Sequence, residues 1–275
     1  MNLEQFAASY TIPLGSGALY PPPPYHYRGM EDVFVFYEAD PEAVLSVLPP
    51  GVDAADEIPI CIAWTRWVPF STFGPYHEAY IMIRVVHDET EYLYQPFIFT
   101  DNEVPLAAGR EIWGFPKKLA VMNRSWAGGA TYGEQLAYTV ERPRGVPIMT
   151  VTMSCDQLAE PSSLRKLPVL TTRVIPSADD ASRPSVAELV SVQSTATIHS
   201  SADGTPQLWS GRASVTMPTV TASDPWHQLA PRRILAGYFG IYDLMLPLGR
   251  VVHDYLRDPN YTPWARATPF PLAGR

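Results

Sequence analysis

Twenty-nine prolines in 275 residues, spread from Pro13 to Pro271, constrain this chain more than any other feature. Inside a helix, a proline removes a backbone hydrogen bond and collides with the preceding turn, so long helices have little room here. Between the prolines, apolar residues come in short β-branched and aromatic runs, the composition of strands. Asp32-Val33-Phe34-Val35-Phe36-Tyr37 is one such run. The same reading predicts strands over 58–68, 79–87, 92–100, 120–126, 136–141, 148–154, 167–175, 188–199 and 207–217. Gly128-Gly129 and Pro143-Arg144-Gly145 mark turns between them.

Two helices interrupt this pattern. Asp40-Pro41-Glu42 offers an N-cap followed by proline at the first helical position, and an apolar face through Val44, Leu45 and Leu48 runs to Pro49-Pro50-Gly51. A second helix is expected over 246–256, with Leu246, Val251, Val252 and Tyr255 on one side and Arg250 and Asp254 on the other. Many strands with few helices argue for an α+β architecture that is mainly antiparallel β, closed or nearly closed into a barrel or cone. No repeat or linker divides the chain, so a single domain over residues 1–275 is expected. Pro21 to Pro24 would form a polyproline segment in an N-terminal arm of about 27 residues.

Composition excludes several functions. Charged residues are 17% and hydrophobic ones 46%, as in globular proteins rather than disordered chains. Net charge is −8, without a basic stripe to track phosphates, which disfavours nucleic acid. Cys61 and Cys155 are too few for a disulfide framework and read as buried thiols in a reducing compartment. Met1-Asn2-Leu3-Glu4-Gln5 does not resemble a signal peptide, and no apolar run has membrane-spanning length, so a cytoplasmic protein with no membrane partner is expected. Gly15 and Gly17 do not continue into a dinucleotide fingerprint. His77-Glu78 lacks the second histidine of a zinc-protease helix, and neither a metal nor a cofactor is expected.

The chemistry-bearing stretch is Gly109-Arg110-Glu111-Ile112-Trp113-Gly114-Phe115-Pro116-Lys117-Lys118-Leu119. Paired lysines are usually exposed in loops; these two are set among large apolar residues. An ordinary lysine titrates near about 10.4, so an amine that attacks a carbonyl at neutral pH needs help. A second ammonium about 6 Å away at an effective dielectric of about 20 supplies roughly 2.8 kcal/mol, which falls short. If residues 115 to 119 are extended, Lys118 also points away from Lys117. Desolvation by Ile112, Trp113, Phe115 and Leu119 is therefore the larger expected effect.

This stretch resembles the signature of the acetoacetate decarboxylase superfamily, together with Asp101-Asn102-Glu103 before it and the run from Leu246 to Leu256. The resemblance covers roughly residues 25–257. It implies a β-rich cone or barrel, a homo-oligomer and a Schiff base on the first lysine of the Pro-Lys-Lys triplet, here Lys117. Activation of that lysine by desolvation or a neighbouring cation is known behaviour of acetoacetate decarboxylase itself.

The resemblance further implies that Arg28 binds the substrate carboxylate and that Glu78 lies beside the lysine to relay protons. A guanidinium suits the first role by its bidentate fork. From sequence, Arg28 could equally be a surface arginine and Glu78 a solvated carboxylate at a turn. His77 is a weaker candidate. Lys118, Trp113 and Phe115 complete the expected site. Family decarboxylases carry a further glutamate on the preceding strand, and counting back from Glu78 places it at Ala63.

The expected activity is that of a lyase decarboxylating a small β-keto acid through a Lys117 imine. Two alternatives stand. The same enamine could carry out a pyruvate-type aldol condensation, dehydration or cyclisation, or the protein could be a non-catalytic β-barrel binder of an anionic small molecule.

Overall fold

The structure is a computed structural model that describes residues 1–260. It is mainly β with few helices, as the proline distribution predicts. The larger sheet follows a path of strands: Gln157–Leu158, Leu208–Gly211, Arg233–Leu246, Tyr25–Glu38, Ile60–Val68, Tyr76–His87, Thr90–Thr100, Val169–Pro176, Pro184–Val192 and Arg250–Asp254. Short strands branch from it, among them Lys117–Leu119, which pairs in parallel with Thr90–Thr100. Ala213–Thr216, Pro147–Ser154, Gln135–Glu141 and Val121–Arg124 form a smaller antiparallel sheet. No pairing among the described residues joins the two ends of the long path.

Alternation along the central strands divides the interior into two faces. Val33, Val35, Ala63, Ile81 and Ile83 pack toward Leu136, Tyr138, Val140, Met149 and Val151 of the smaller sheet. Their neighbours Phe34, Ile62, Tyr80 and Met82 form a second apolar cluster on the other face. Burial on both faces explains why these segments read as nearly continuous apolar runs.

A bulge shifts this alternation at one place. Ile81 pairs with Phe97 but Ile83 pairs with Tyr94, so Gln95 and Pro96 together stand opposite Met82. Proline has no N–H to give to a ladder and fits such a bulge. The result puts Leu93, Gln95 and Ile98 on the same side.

The early helix forms over Pro41–Val47, its Asp40 side chain accepting from the Ala43 N–H at 3.0 Å. The expected late helix is not formed. Arg250–Asp254 is a strand paired with residues 188–191, followed by one 3₁₀ turn, Tyr255–Arg257. Pro247 and Gly249 break the helical register, and β-branched Val251 and Val252 suit an added strand. Gly249 also lies close against Pro184–Val192, since a Cβ there would sit 2.5 Å from Val190 Cγ1.

The expected strands 188–199 and 207–217 each divide in two. Arg233–Leu246, one of the two longest strands, is not anticipated from sequence because Gly237 and Gly240 look like breakers. Gly237 instead permits close approach: a Cβ there would meet Ala213 Cβ at 2.5 Å.

Candidate active site

A short helix and a tight turn deliver the lysine. Asn102 caps Glu103–Ala108 by accepting from the Val104 N–H at 2.9 Å, and the chain continues through a π turn, Gly109–Trp113. Gly114 ends it with φ 82°, and a Cβ there would lie 2.5 Å from the Arg173 Cα. Neither the backbone conformation nor the space admits another residue. The chain then extends, so Lys117 and Lys118 project to opposite sides.

Lys117 is 7% exposed, and its Nζ donates to Glu78 Oε1. Gly109 lies against its stem: a Cβ there would sit 2.9 Å from both Lys117 Cδ and Cε. The ammonium stands 5.8 Å from the ring centroids of Tyr76 and Phe115. Arg110 fixes the backbone by donating from Nη1 to the Lys117 carbonyl at 3.2 Å. Lys118, 44% exposed at its side chain, instead donates to Asp224 Oδ1 at 2.9 Å. Burial would raise Asp224, but Lys118, Ser223 and Arg142 hold it below the usual carboxylate range.

Glu78 stands near the start of Tyr76–His87, opposite Arg66 on one side and Thr100 on the other. Its Oε2 is 3.8 Å from Arg66 Nη1. Arg66 in turn grips Asp32, with Nε 2.9 Å from Oδ1 and Nη2 2.8 Å from Oδ2. The Trp64 indole N–H donates to Asp32 Oδ2 at 3.0 Å. Burial, with Glu78 acting in the same direction, raises the Asp32 carboxyl; Arg66 and Trp64 offset this only in part. Burial opposes charge on Arg66, but Asp32, Tyr80 and Glu78 keep its guanidinium well above the ordinary value. Burial and then the Glu78 charge raise the Tyr27 and Tyr76 phenols, so both remain protonated donors.

These groups form the inner end of a cavity of about 880 Å³ whose remaining wall is largely apolar. Phe115 lines it. Trp113 is buried behind it, with its ring centroid 5.6 Å from that of Tyr25 and its indole N–H donated to the Pro247 carbonyl at 3.0 Å. His77 lies off the cavity, its Nδ1 2.8 Å from Asp101 Oδ2.

Arg28 is placed differently from the expectation. Between Tyr27 and Met30 the register slips, setting Arg28 and Gly29 opposite Asp243, with Gly29 at φ 61°. Tyr27 and Met30 line the cavity while Arg28 turns outward, 64% exposed, onto the Asp243 carboxylate. The Ala63 comparison also changes. Ala63 faces the smaller sheet, whereas Ile62, Trp64 and Arg66 line the cavity, so a carboxylate at 63 would be buried in the other core. The site's second carboxylate is Asp32, from the strand beside it.

Sequence reasoning missed Asp32, Arg66, Tyr76 and Gly109. A signal for the first two was present, because a charge in the middle of a strand apolar on both faces needs a buried partner. Among the described residues, no group of three or more His, Cys, Asp or Glu could hold a metal.

The geometry defines a mainly β protein with an internal lysine–carboxylate pair at the end of an apolar cavity. The chain belongs to the acetoacetate decarboxylase family, whose model matches residues 9–256. It is 31% identical to an acetoacetate decarboxylase of Chromobacterium violaceum, over 91% of this chain and 96% of that one. The crystal structure of acetoacetate decarboxylase from Legionella pneumophila is similar, with TM-score 0.77, 28% identity, and 90% of this chain and 95% of that one covered. The enduracididine biosynthesis enzyme MppR, in complex with pyruvate, shares the fold at TM-score 0.73 and 24% identity, over 90% of this chain and 98% of that one. No helix among the described residues is long and apolar enough to cross a membrane.

Proposed function

We propose that the protein is a Schiff-base lyase that decarboxylates a β-keto acid through Lys117. The contact between the buried Lys117 amine and the Glu78 carboxylate, facing a cavity large enough for substrate, carries this reading.

Glu78 takes a proton from the Lys117 ammonium, and the freed amine adds to the keto carbon. The carbinolamine then loses water, with the proton returned by Glu78, to leave a protonated imine. Breaking the bond to the carboxyl carbon releases carbon dioxide and sends the electron pair into the imine nitrogen. The resulting enamine is protonated at carbon, and water hydrolyses the imine to the ketone and free Lys117.

Arg66 and Asp32 are positioning residues in this scheme, holding Glu78 and the cavity floor. The nearest charges, Lys117, Arg66, Glu78 and Asp32, sum to zero. A substrate carboxylate placed among them has little net compensation, and its loss as neutral carbon dioxide relieves that. We assign Arg66 rather than the outward Arg28 as the arginine of the site.

Borohydride added with a β-keto acid should leave a reduced adduct on Lys117, lost in Lys117→Ala. Carbon dioxide release distinguishes decarboxylation from aldol use of the same enamine. A complete digest with no adduct on Lys117 for any keto acid would sink the proposal.

A further inference from the structure

The cavity is much longer than a four-carbon acid requires. Along Tyr76–His87, the residues Glu78, Tyr80, Met82 and Arg84 all line it, and at roughly 3.3 Å per strand residue this run spans about 20 Å. Beyond the charged end the walls are apolar: Phe34, Phe36, Ile62, Met82, Leu93 and Val169. At the opposite end, exposed Arg165 and Leu235 line it, so this end reaches solvent. Arg84 there lies 3.2 Å from Asp56 and 3.6 Å from Glu91, and Arg165 is also on Glu91, while Lys166, which lines the cavity too, donates to the Ala196 carbonyl at 3.1 Å.

Ser163, Lys166, Gln193, Ser194 and Thr197 also line the cavity but are at least partly exposed, whereas Gln95 and the Tyr242 hydroxyl are buried in its wall without a hydrogen-bond partner. Gln95 lines the cavity, is 2% exposed, and its Oε1 accepts no hydrogen bond from the protein. The bulge at Gln95-Pro96 aims it inward opposite Met82, four strand residues or about 13 Å from the level of Glu78. A buried acceptor left unpaired costs about 1–3 kcal/mol, so its retention on a buried part of the wall points to a partner on the ligand.

We propose that the substrate is a keto acid with a long apolar body bearing a hydroxyl or amide N–H that hydrogen-bonds Gln95. The carbonyl lies at Lys117, the body along Phe34, Ile62 and Met82, and the tail toward Arg84. This rests on the Lys117 imine reading for the keto end, while Gln95 and the apolar wall set the remainder. A donor that meets Gln95 is favoured over a bare methylene chain, which would bury the amide unpaired.

The test uses the intact chain and a series of 3-oxo acids from four carbons upward, with and without a hydroxyl moved along the tail. Two readouts are taken: borohydride trapping at Lys117, and calorimetric binding of the matching 3-hydroxy acids, which offer the amine no carbonyl. Trapping efficiency and affinity should rise about fourfold per buried methylene until the channel is filled. One hydroxyl position should add about tenfold, and Gln95→Leu should reverse that preference toward the plain chain.

Adducts forming equally well at every length, with no gain in binding, would overturn the long-chain inference and leave the imine reading standing. Binding that rises with length without any adduct would overturn the imine reading and retain the long ligand. Failure of both overturns both. A length effect with no favoured hydroxyl position would overturn the role of Gln95.

Discussion

Replacing Asp32 by Asn tests whether the charges beneath the cavity act as one unit. The substitution keeps the side chain's shape, so the neighbouring apolar packing survives. It removes the charge that Arg66 contacts at 2.8 and 2.9 Å and can turn an NH₂ group toward the guanidinium N–H donors. Arg66 then has Glu78, at 3.8 Å, as its nearest remaining carboxylate. Removing one member of a buried ion pair costs about 3–5 kcal/mol, because the other charge stays buried. At about 2–4 °C per kcal/mol for a chain near this size, Tm should fall by roughly 6–20 °C.

A second effect follows at Lys117. An Arg66 released from Asp32 competes for the carboxylate that receives the Lys117 ammonium, and a misplacement worth about 1.4 kcal/mol slows imine formation about tenfold. Thermal unfolding followed by circular dichroism, with borohydride trapping well below the transition, measures both. An Asp32→Asn protein within about 1 kcal/mol of the parent in stability and equal in trapping would refute the idea that Asp32 and Arg66 support Glu78.

Gly109→Ala isolates steric support of the lysine. Gly109 has an ordinary helical backbone, φ −61°, so the substitution carries no conformational penalty, but its methyl would sit 2.9 Å from the Lys117 stem. Trapping should drop about tenfold or more while Tm changes far less than in Asp32→Asn; an unchanged trapping rate contradicts the contact. Cys61 and Cys155 are buried free thiols pushed up to about 12 by burial, so iodoacetamide at pH 8 should label neither until urea unfolds the chain. Burial alone would raise Asp243, but the Gly29 N–H, Arg28 and His199 bring it down to about 2. Its contribution is therefore present above the unfolded value near about 4 and lost as pH falls toward 2. Urea unfolding should find Asp243→Asn less stable than the parent at pH 7, with the gap narrowing by pH 3; an equal gap at both would exclude this linkage.

Several features of the site were legible in the chain. Trp113-Gly114-Phe115-Pro116 around Lys117 predicted a buried amine, and extended alternation predicted that Lys118 would leave it. Glu78 was named by resemblance and lies against Lys117. Arg28 was named by resemblance and Ala63 by counting back from Glu78, and neither route registers a bulge or reveals which face of a sheet a residue occupies. The register slip at Arg28-Gly29 turns one outward, and strand parity sends the other into the smaller sheet's core.

The sequence by itself determined the strand-rich class, the Asp40-capped helix and the apolar setting of Lys117, because these depend on prolines, β-branched runs and neighbours within a few residues. Only the tertiary structure decided that Arg66 and Asp32 stand behind the Glu78–Lys117 pair. Glu78, Arg66 and Asp32 come from three strands whose adjacency depends on pairing, and Gly109 reaches the lysine stem through the turn between them. Long-range register also made the cavity long and set Gln95 in its wall. A strand's own residues specify its alternation, but its neighbours and bulges specify what that alternation faces.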